Sequence, residues 1–300
     1  MSKSNSIPWT RRLFRCECPC GSGNKSYECC WRGDGRWEKS SVGSINLPQT
    51  AAHPSLNDRC YFSSHGDCSS KITREHFISR NILERITTDK LAIENAGHIF
   101  GGKNKVEIGI DAFTAKVLCD VHNPALSPLD TAAGVAFSTI EALIKDIAKT
   151  ADPAAAIRSF HLSSGVDMER WLIKVYCGLV AAEKIRGATG KILQRNALPS
   201  YFFDALLGTS SLPSPLGLYQ HTFVGQKRRL GAGIDIGTIQ LTDGSGDVGG
   251  LLLNLGPINL ILVTSTAFGQ SFKEPNWYRH PTFLLNVRQG SCRIAYLLTY

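Results

Sequence analysis

Cys18-Pro19-Cys20-Gly21-Ser22-Gly23-Asn24-Lys25-Ser26-Tyr27-Glu28-Cys29-Cys30 places four thiols within thirteen residues. Zinc takes four soft or borderline ligands in a tetrahedron, and thiolates meet that need. Neighbouring cysteines pair poorly as disulfides, because the bridge demands a specific separation and dihedral angle. The glycines between the two arms let the backbone reverse, so that both arms reach one ion. The spacing therefore predicts a zinc site at Cys18, Cys20, Cys29 and Cys30, with Cys16 a bystander. Free or disulfide-linked thiols are the alternative.

The run resembles the SEC-C motif, with the Gly-Ser-Gly turn and Tyr27 in the motif's positions. The resemblance implies a small zinc finger over residues 1–31 that recruits a protein or nucleic-acid partner. Residues 32–58 are rich in Gly, Ser, Pro and Asn and read as a linker.

A second constellation lies further along. Cys60 and Cys68 are followed, about fifty residues later, by Cys119 and His122. Two knuckles of two ligands each would enclose a second zinc ion, with the second knuckle opening a helix. His65 could serve in place of Cys68. Pro124 suits a helix start. Here Glu75-His76-Phe77-Ile78-Ser79 and Leu118-Cys119-Asp120-Val121-His122-Asn123 resemble the two signatures of the HNH (ββα-metal) endonuclease superfamily in its treble-clef form. The resemblance covers residues 60–135. It implies structural zinc at Cys60, Cys68, Cys119 and His122. It also implies His76 as general base, with Glu75 and Asn123 holding a catalytic Mg2+ or Mn2+.

Those residue types suit that chemistry. An imidazole titrates near neutrality and can take a proton from water. A hard divalent ion takes oxygen ligands and stabilises charge on a phosphate. The pattern departs from the family in three places. The first knuckle is long, a middle Asn is missing from Asp111–Val117, and position 75 carries Glu rather than Asp. Read simply as structure, His76 is a polar residue near a helix start and Asn123 an N-cap.

The chain of 300 residues carries a net charge of +8, with charged residues making up 19%. The balance favours an acidic partner, DNA or RNA. Arg11-Arg12 and Lys227-Arg228-Arg229 are its densest clusters. The opening residues show no apolar leader core, and ten cysteines in metal-type spacing suit a reducing cytoplasm. Val248–Phe268 is uncharged and long enough to span a membrane. Its Gly, Pro and Asn residues suit two buried strands instead.

The expected fold class is α+β. A finger (1–31) and a linker (32–58) precede an HNH-like treble-clef module (59–135). A helical segment (136–210) and an antiparallel β-rich C-terminal domain (211–300) follow. Within the helical segment, Asp130 is the expected N-cap of a helix over 131–150. A second helix starts at Asp167, and a short one covers Ser200–Gly208. Six short β-rich runs follow residue 216. The function expected is DNA cleavage by a metal-dependent HNH-type endonuclease, with a role in anti-phage defence suggested by the motif pairing. The alternative is a non-catalytic, zinc-stabilised adaptor for nucleic acid or protein.

Overall fold

The computed structural model describes residues 15–33, 36–48, 57–87, 89–94, 97–103, 105–149, 158–220, 234–241, 245, 247–255, 258–271, 278–279, 282–287 and 292–300. The basic clusters Arg11-Arg12 and Lys227–Arg229 lie outside these residues.

The chain is mixed α and β. Strand β1 (Ile72–His76) precedes helix α1 (Arg80–Ile86), strands β2 (Lys90–Glu94) and β3 (Lys105–Gly109), and β4 (Thr114–Cys119). Helices α2 (His122–Ala125) and α3 (Ser127–Lys149), strand β5 (Arg158–Ser164), and helices α4 (Gly165–Ala181) and α5 (Ser200–Leu207) follow. The C-terminal third holds β6 (Gly217–Gln220), β7 (Ile234–Gln240), β8 (Val248–Leu255), β9 (Ile258–Val263), α6 (Thr266–Ser271), β10 (Thr282–Val287) and β11 (Cys292–Thr299). All six β-rich runs of the sequence are strands. The uncharged stretch from Val248 is the β8–β9 pair, and among the described residues no helix is long and apolar enough to cross a membrane.

The strands do not divide as the sequence suggested. β1 and β4 form their own antiparallel ladder, and a six-stranded sheet runs β3-β2-β7-β8-β9-β6. This sheet takes two strands from the segment between β1 and β4, with β2 parallel to β7. The third sheet, β10-β11-β5, pairs β11 in parallel with a strand from the helical segment. The C-terminal strands are thus neither a separate sheet nor wholly antiparallel. Short strands bury one face only when neighbours complete the sheet, and here the neighbours come from the N-terminal half.

Residues 36–48 correct the linker expectation. Trp37 is 1% exposed and meets Trp31 and Phe160 edge-to-face, with ring centroids 5.1 and 4.8 Å away. The backbone that follows is tied to the body. Lys39 N–H donates to Thr299 Oγ1 (3.1 Å), Val42 N–H to Asp167 Oδ1 (3.0 Å) and Ile45 N–H to Leu207 O (2.7 Å). Arg170 Nη1 donates to Gly43 O at 2.7 Å. Glycine and serine here mark a strap whose backbone donors and acceptors are satisfied by partners distant in sequence.

The helices begin and end where local chemistry permits. Ser164 caps α4, accepting from the Asp167 N–H at 3.1 Å. Gly208 closes α5 at φ 72°, a left-handed position where a side chain would be strained. α3 begins at Ser127, so Asp130 lies in its first turn rather than at the cap.

Candidate metal centres and the His76 hairpin

The Gly-Ser-Gly turn works as its residues require. Gly21 and Gly23 have φ of 75° and 77°, and Cys18 N–H donates across the turn to Asn24 O at 2.7 Å. Ser26 O then accepts from the backbone N–H groups of Cys29, Cys30 and Trp31, which turns the second arm toward the first. The Sγ atoms of Cys18, Cys20, Cys29 and Cys30 all lie within 4.8 Å of one another. Cys20 and Cys29 are 3.6 Å apart, and Cys29 and Cys30 are 3.5 Å apart. Sulfurs around one tetrahedral zinc lie about 3.8 Å apart, and a disulfide closes to about 2.05 Å. The spacing therefore fits a shared ion. Cys18 and Cys30 favour the thiolate of Cys20, and Cys20 pushes Cys18 up to about 11. Cys16 is exposed and stands outside the group.

This finger is docked on the body. Its Pro19 O accepts from Leu162 N–H on β5, the edge of its sheet, at 3.1 Å. Cys18, Cys20, Cys30, Trp37, Phe160 and Leu162 form one small core. Tyr27 stays 52% exposed.

The second group joins segments far apart in sequence. Asn57 braces the loop that carries Cys60 and Cys68, donating from Nδ2 to Ser69 O and accepting from Cys60 N–H on its carbonyl. Tyr61 N–H donates to Val117 O and ties that loop to β4. Cys119 ends β4, and His122 opens α2. His122 Nδ1 lies 3.3 Å from Cys60 Sγ, 3.6 Å from Cys68 Sγ and 3.3 Å from Cys119 Sγ. A tetrahedral zinc with thiolate and imidazole ligands sets such separations at about 3.6 Å. All four residues are buried. Burial pushes His122 down, which keeps its ring neutral and its Nδ1 lone pair available. Cys119 is lowered although burial opposes it, because the His122, Ser69 and Val121 backbone groups favour its thiolate. His65 is not in the group: its exposed ring packs against Phe62 and Phe203, each 5.4 Å away. Both groups could hold a metal ion, and their donors suit zinc.

β1 leaves this second group with Ile72 opposite Cys119 and His76 opposite Thr114. Successive side chains on a strand point to opposite faces, so Glu75 and His76 diverge. Glu75 is 8% exposed, and its carboxylate is ion-paired with Lys174 on α4. Burial pushes Glu75 up. His76 is half-buried, and its Nε2 is itself buried with no hydrogen-bond partner among the described residues. Burial, and then the Arg80 guanidinium, push its imidazole below the ordinary value. Asn123 is the second residue of α2 rather than its cap. Its Nδ2 donates to Thr73 Oγ1 (3.0 Å) and Arg74 O (3.2 Å), pinning α2 to β1. Its Oδ1 has no hydrogen-bond partner among the described residues.

The expected general base and the two expected ion ligands are therefore not gathered round one opening. Glu75 faces inward to a lysine, and Asn123 serves as a clamp through its amide nitrogen. His76 shares the outward face with Arg74, which lies directly opposite Lys116. Both cations are exposed, and among the described residues neither has an acidic partner.

Sequence reasoning missed Lys174 and did not foresee that Asp130 and Ser79 join it. One signal was available: Lys174 stands three residues after Trp171, within a helix whose neighbours are apolar, and such a charge calls for a buried partner. Comparison with family models, with curated proteins and with solved structures gives no match.

Proposed function

We propose that the chain binds nucleic acid on the outward face of the β1–β4 hairpin and hydrolyses phosphodiester bonds there. The observation that carries this reading is the pairing of Arg74 with Lys116, two residues from a neutral imidazole. Like charges directly across a ladder destabilise it, and an anion between them relieves the cost. A phosphate on those cations would lie on the face that carries His76. His76 would take a proton from the attacking water as the water oxygen bonds to phosphorus and the P–O bond to the leaving oxygen breaks, the leaving oxygen taking a proton from solvent. The two cations would stabilise charge on the phosphate. Glu75 does not fit a magnesium or manganese site, because Lys174 holds its carboxylate.

The test is cleavage of supercoiled plasmid, single-stranded DNA and RNA by the zinc-loaded chain, with Mg2+, Mn2+ or chelator. Cleavage by the wild type and its loss in His76→Ala are expected, with the rate falling on acidification as His76 protonates. Arg74→Glu with Lys116→Glu should weaken binding and flatten its salt dependence by about two phosphate contacts. A folded two-zinc protein that cuts none of these substrates defeats the hydrolytic reading.

A second reading is favoured by the inward-facing Glu75 and by the clamp role of Asn123. The hairpin would then bind nucleic acid without cutting it, an adaptor built on two zinc sites. Retained, charge-dependent binding without cleavage is its signature. Under either reading the finger offers a partner the side that carries Tyr27, because its other side is packed on β5.

A further inference from the structure

α4 carries Lys174 into the space behind the hairpin, where it is 4% exposed. Its Nζ pairs with Glu75 of β1 and, at 2.5 Å, with Asp130 Oδ2 of α3. The other Asp130 oxygen accepts from Ser79 Oγ at 2.6 Å, and Trp171 Nε1 donates to Ser79 Oγ at 2.8 Å. Burial disfavours the ammonium, and Glu75 and Asp130 together hold it charged.

One cation between carboxylates from separate elements, with a hydroxyl at the rim, is a donor set that hard divalent ions take. The structure puts an amine there. Glu75 immediately precedes His76, and Ser79 follows it by three residues. Both flanks of the histidine are thereby anchored to one buried charge.

We propose that Lys174 is a resident cation: it fills the seat that Glu75 and Asp130 would otherwise offer a divalent ion, so the native chain binds no such ion through Glu75. The proposal goes beyond the hydrolytic reading and does not depend on it. If His76 works with a divalent ion, that ion must be held without Glu75.

The test uses Mn2+ alone as probe on the zinc-loaded full chain. Free Mn2+ is followed by electron paramagnetic resonance in the wild type, Glu75→Gln, Lys174→Ala and the double variant. Wild type and Glu75→Gln should bind Mn2+ alike. Lys174→Ala should gain one site, at least about tenfold tighter than any in the wild type, and the double variant should lose it. A tenfold weakening by Glu75→Gln alone overturns the proposal, as does a folded Lys174→Ala that gains nothing. Should the lysine variants not fold, the wild type decides. The indole N–H resonance of Trp171 should stay sharp as Mn2+ is added, and its selective broadening would place the ion in the lysine's seat. Cleavage is not read in any arm, so failure here is distinct from failure of the hydrolytic reading.

Discussion

Cys68→Ser and His65→Ala separate two residues that spacing alone leaves interchangeable. Cys68 Sγ lies 3.6 Å from His122 Nδ1 in a fully buried group, and the His65 ring lies outside that group against two phenylalanines. Structural zinc contributes about 10–16 kcal/mol in small zinc modules, so one ligand of four accounts for roughly 3 kcal/mol, or about a hundredfold in affinity. An ion held there would join the 57–68 loop, β4 and α2, so its loss would be comparable to the whole stability of an ordinary domain, about 5–15 kcal/mol. His65→Ala removes two ring contacts from an exposed side chain, on the order of 1 kcal/mol, with no effect on the ion. The measurements are zinc per chain and the rate of zinc transfer to a coloured chelator, with circular dichroism as the check on folding. Two zinc ions held tightly in wild type and His65→Ala, and one released readily in Cys68→Ser, are expected. The reverse pattern, with His65→Ala releasing zinc and Cys68→Ser retaining two, would refute the ligand assignment.

The remaining predictions concern the finger and the buried histidine. Trp37→Ala empties the small core under the finger and should cost about 3–5 kcal/mol, roughly 5–10 °C in Tm, with both zinc ions retained. Unchanged Tm and unchanged protease resistance around residues 31–45 would mean the strap is not held there. His161 is buried with its Nε2 3.0 Å from Asp146 Oδ2, and burial outweighs that carboxylate to push the imidazole down. A lowered histidine stabilises the fold in its neutral form, so stability should fall as pH drops below about 6.5 and level off once the folded group is protonated. His161→Gln should flatten that loss between pH 7 and 5 in Tm measurements, and equal slopes in the two proteins would show that His161 does not contribute.

Both metal groups were legible because ligation depends on residue type and on turns that local sequence encodes. Gly21 and Gly23 fold one arm onto the other, and Cys119 and His122 are brought together by the end of β4 and the start of α2. The strands after residue 216 were legible for a similar reason: alternation and turn residues mark each run. Their partners were not, because pairing is a long-range choice, and nothing local in Lys90–Glu94 announces that it will lie beside Ile234–Gln240. The strap misled by composition. Gly43 and Ser44 look like linker residues, yet the backbone of that segment meets Asp167, Arg170 and Leu207.

Glu75 is ion-paired with Lys174 for a reason that bears on the whole site. A motif places residues by spacing along one strand, and on that evidence Glu75 and His76 belong to one centre. A strand sends neighbours to opposite faces, and the inward face here meets α4. That helix reads as amphipathic, but Glu169, Arg170 and Lys174 are all buried with it. Each is satisfied by a partner distant in sequence: Glu169 by Arg279 and Leu218 N–H, Arg170 by Leu206 O and Gly43 O, Lys174 by Glu75 and Asp130. A helix buried on every side cannot leave a charge unpaired, because the desolvation cost is too high. The polar residues of α4 therefore organise their surroundings, drawing in the strap, the strand β6 and the hairpin. On this account the acid beside His76 was drawn from the outward face by the packing of a helix about a hundred residues away, and under the proposed function that leaves the outward cations, not a buried carboxylate, as the groups that would meet a phosphate.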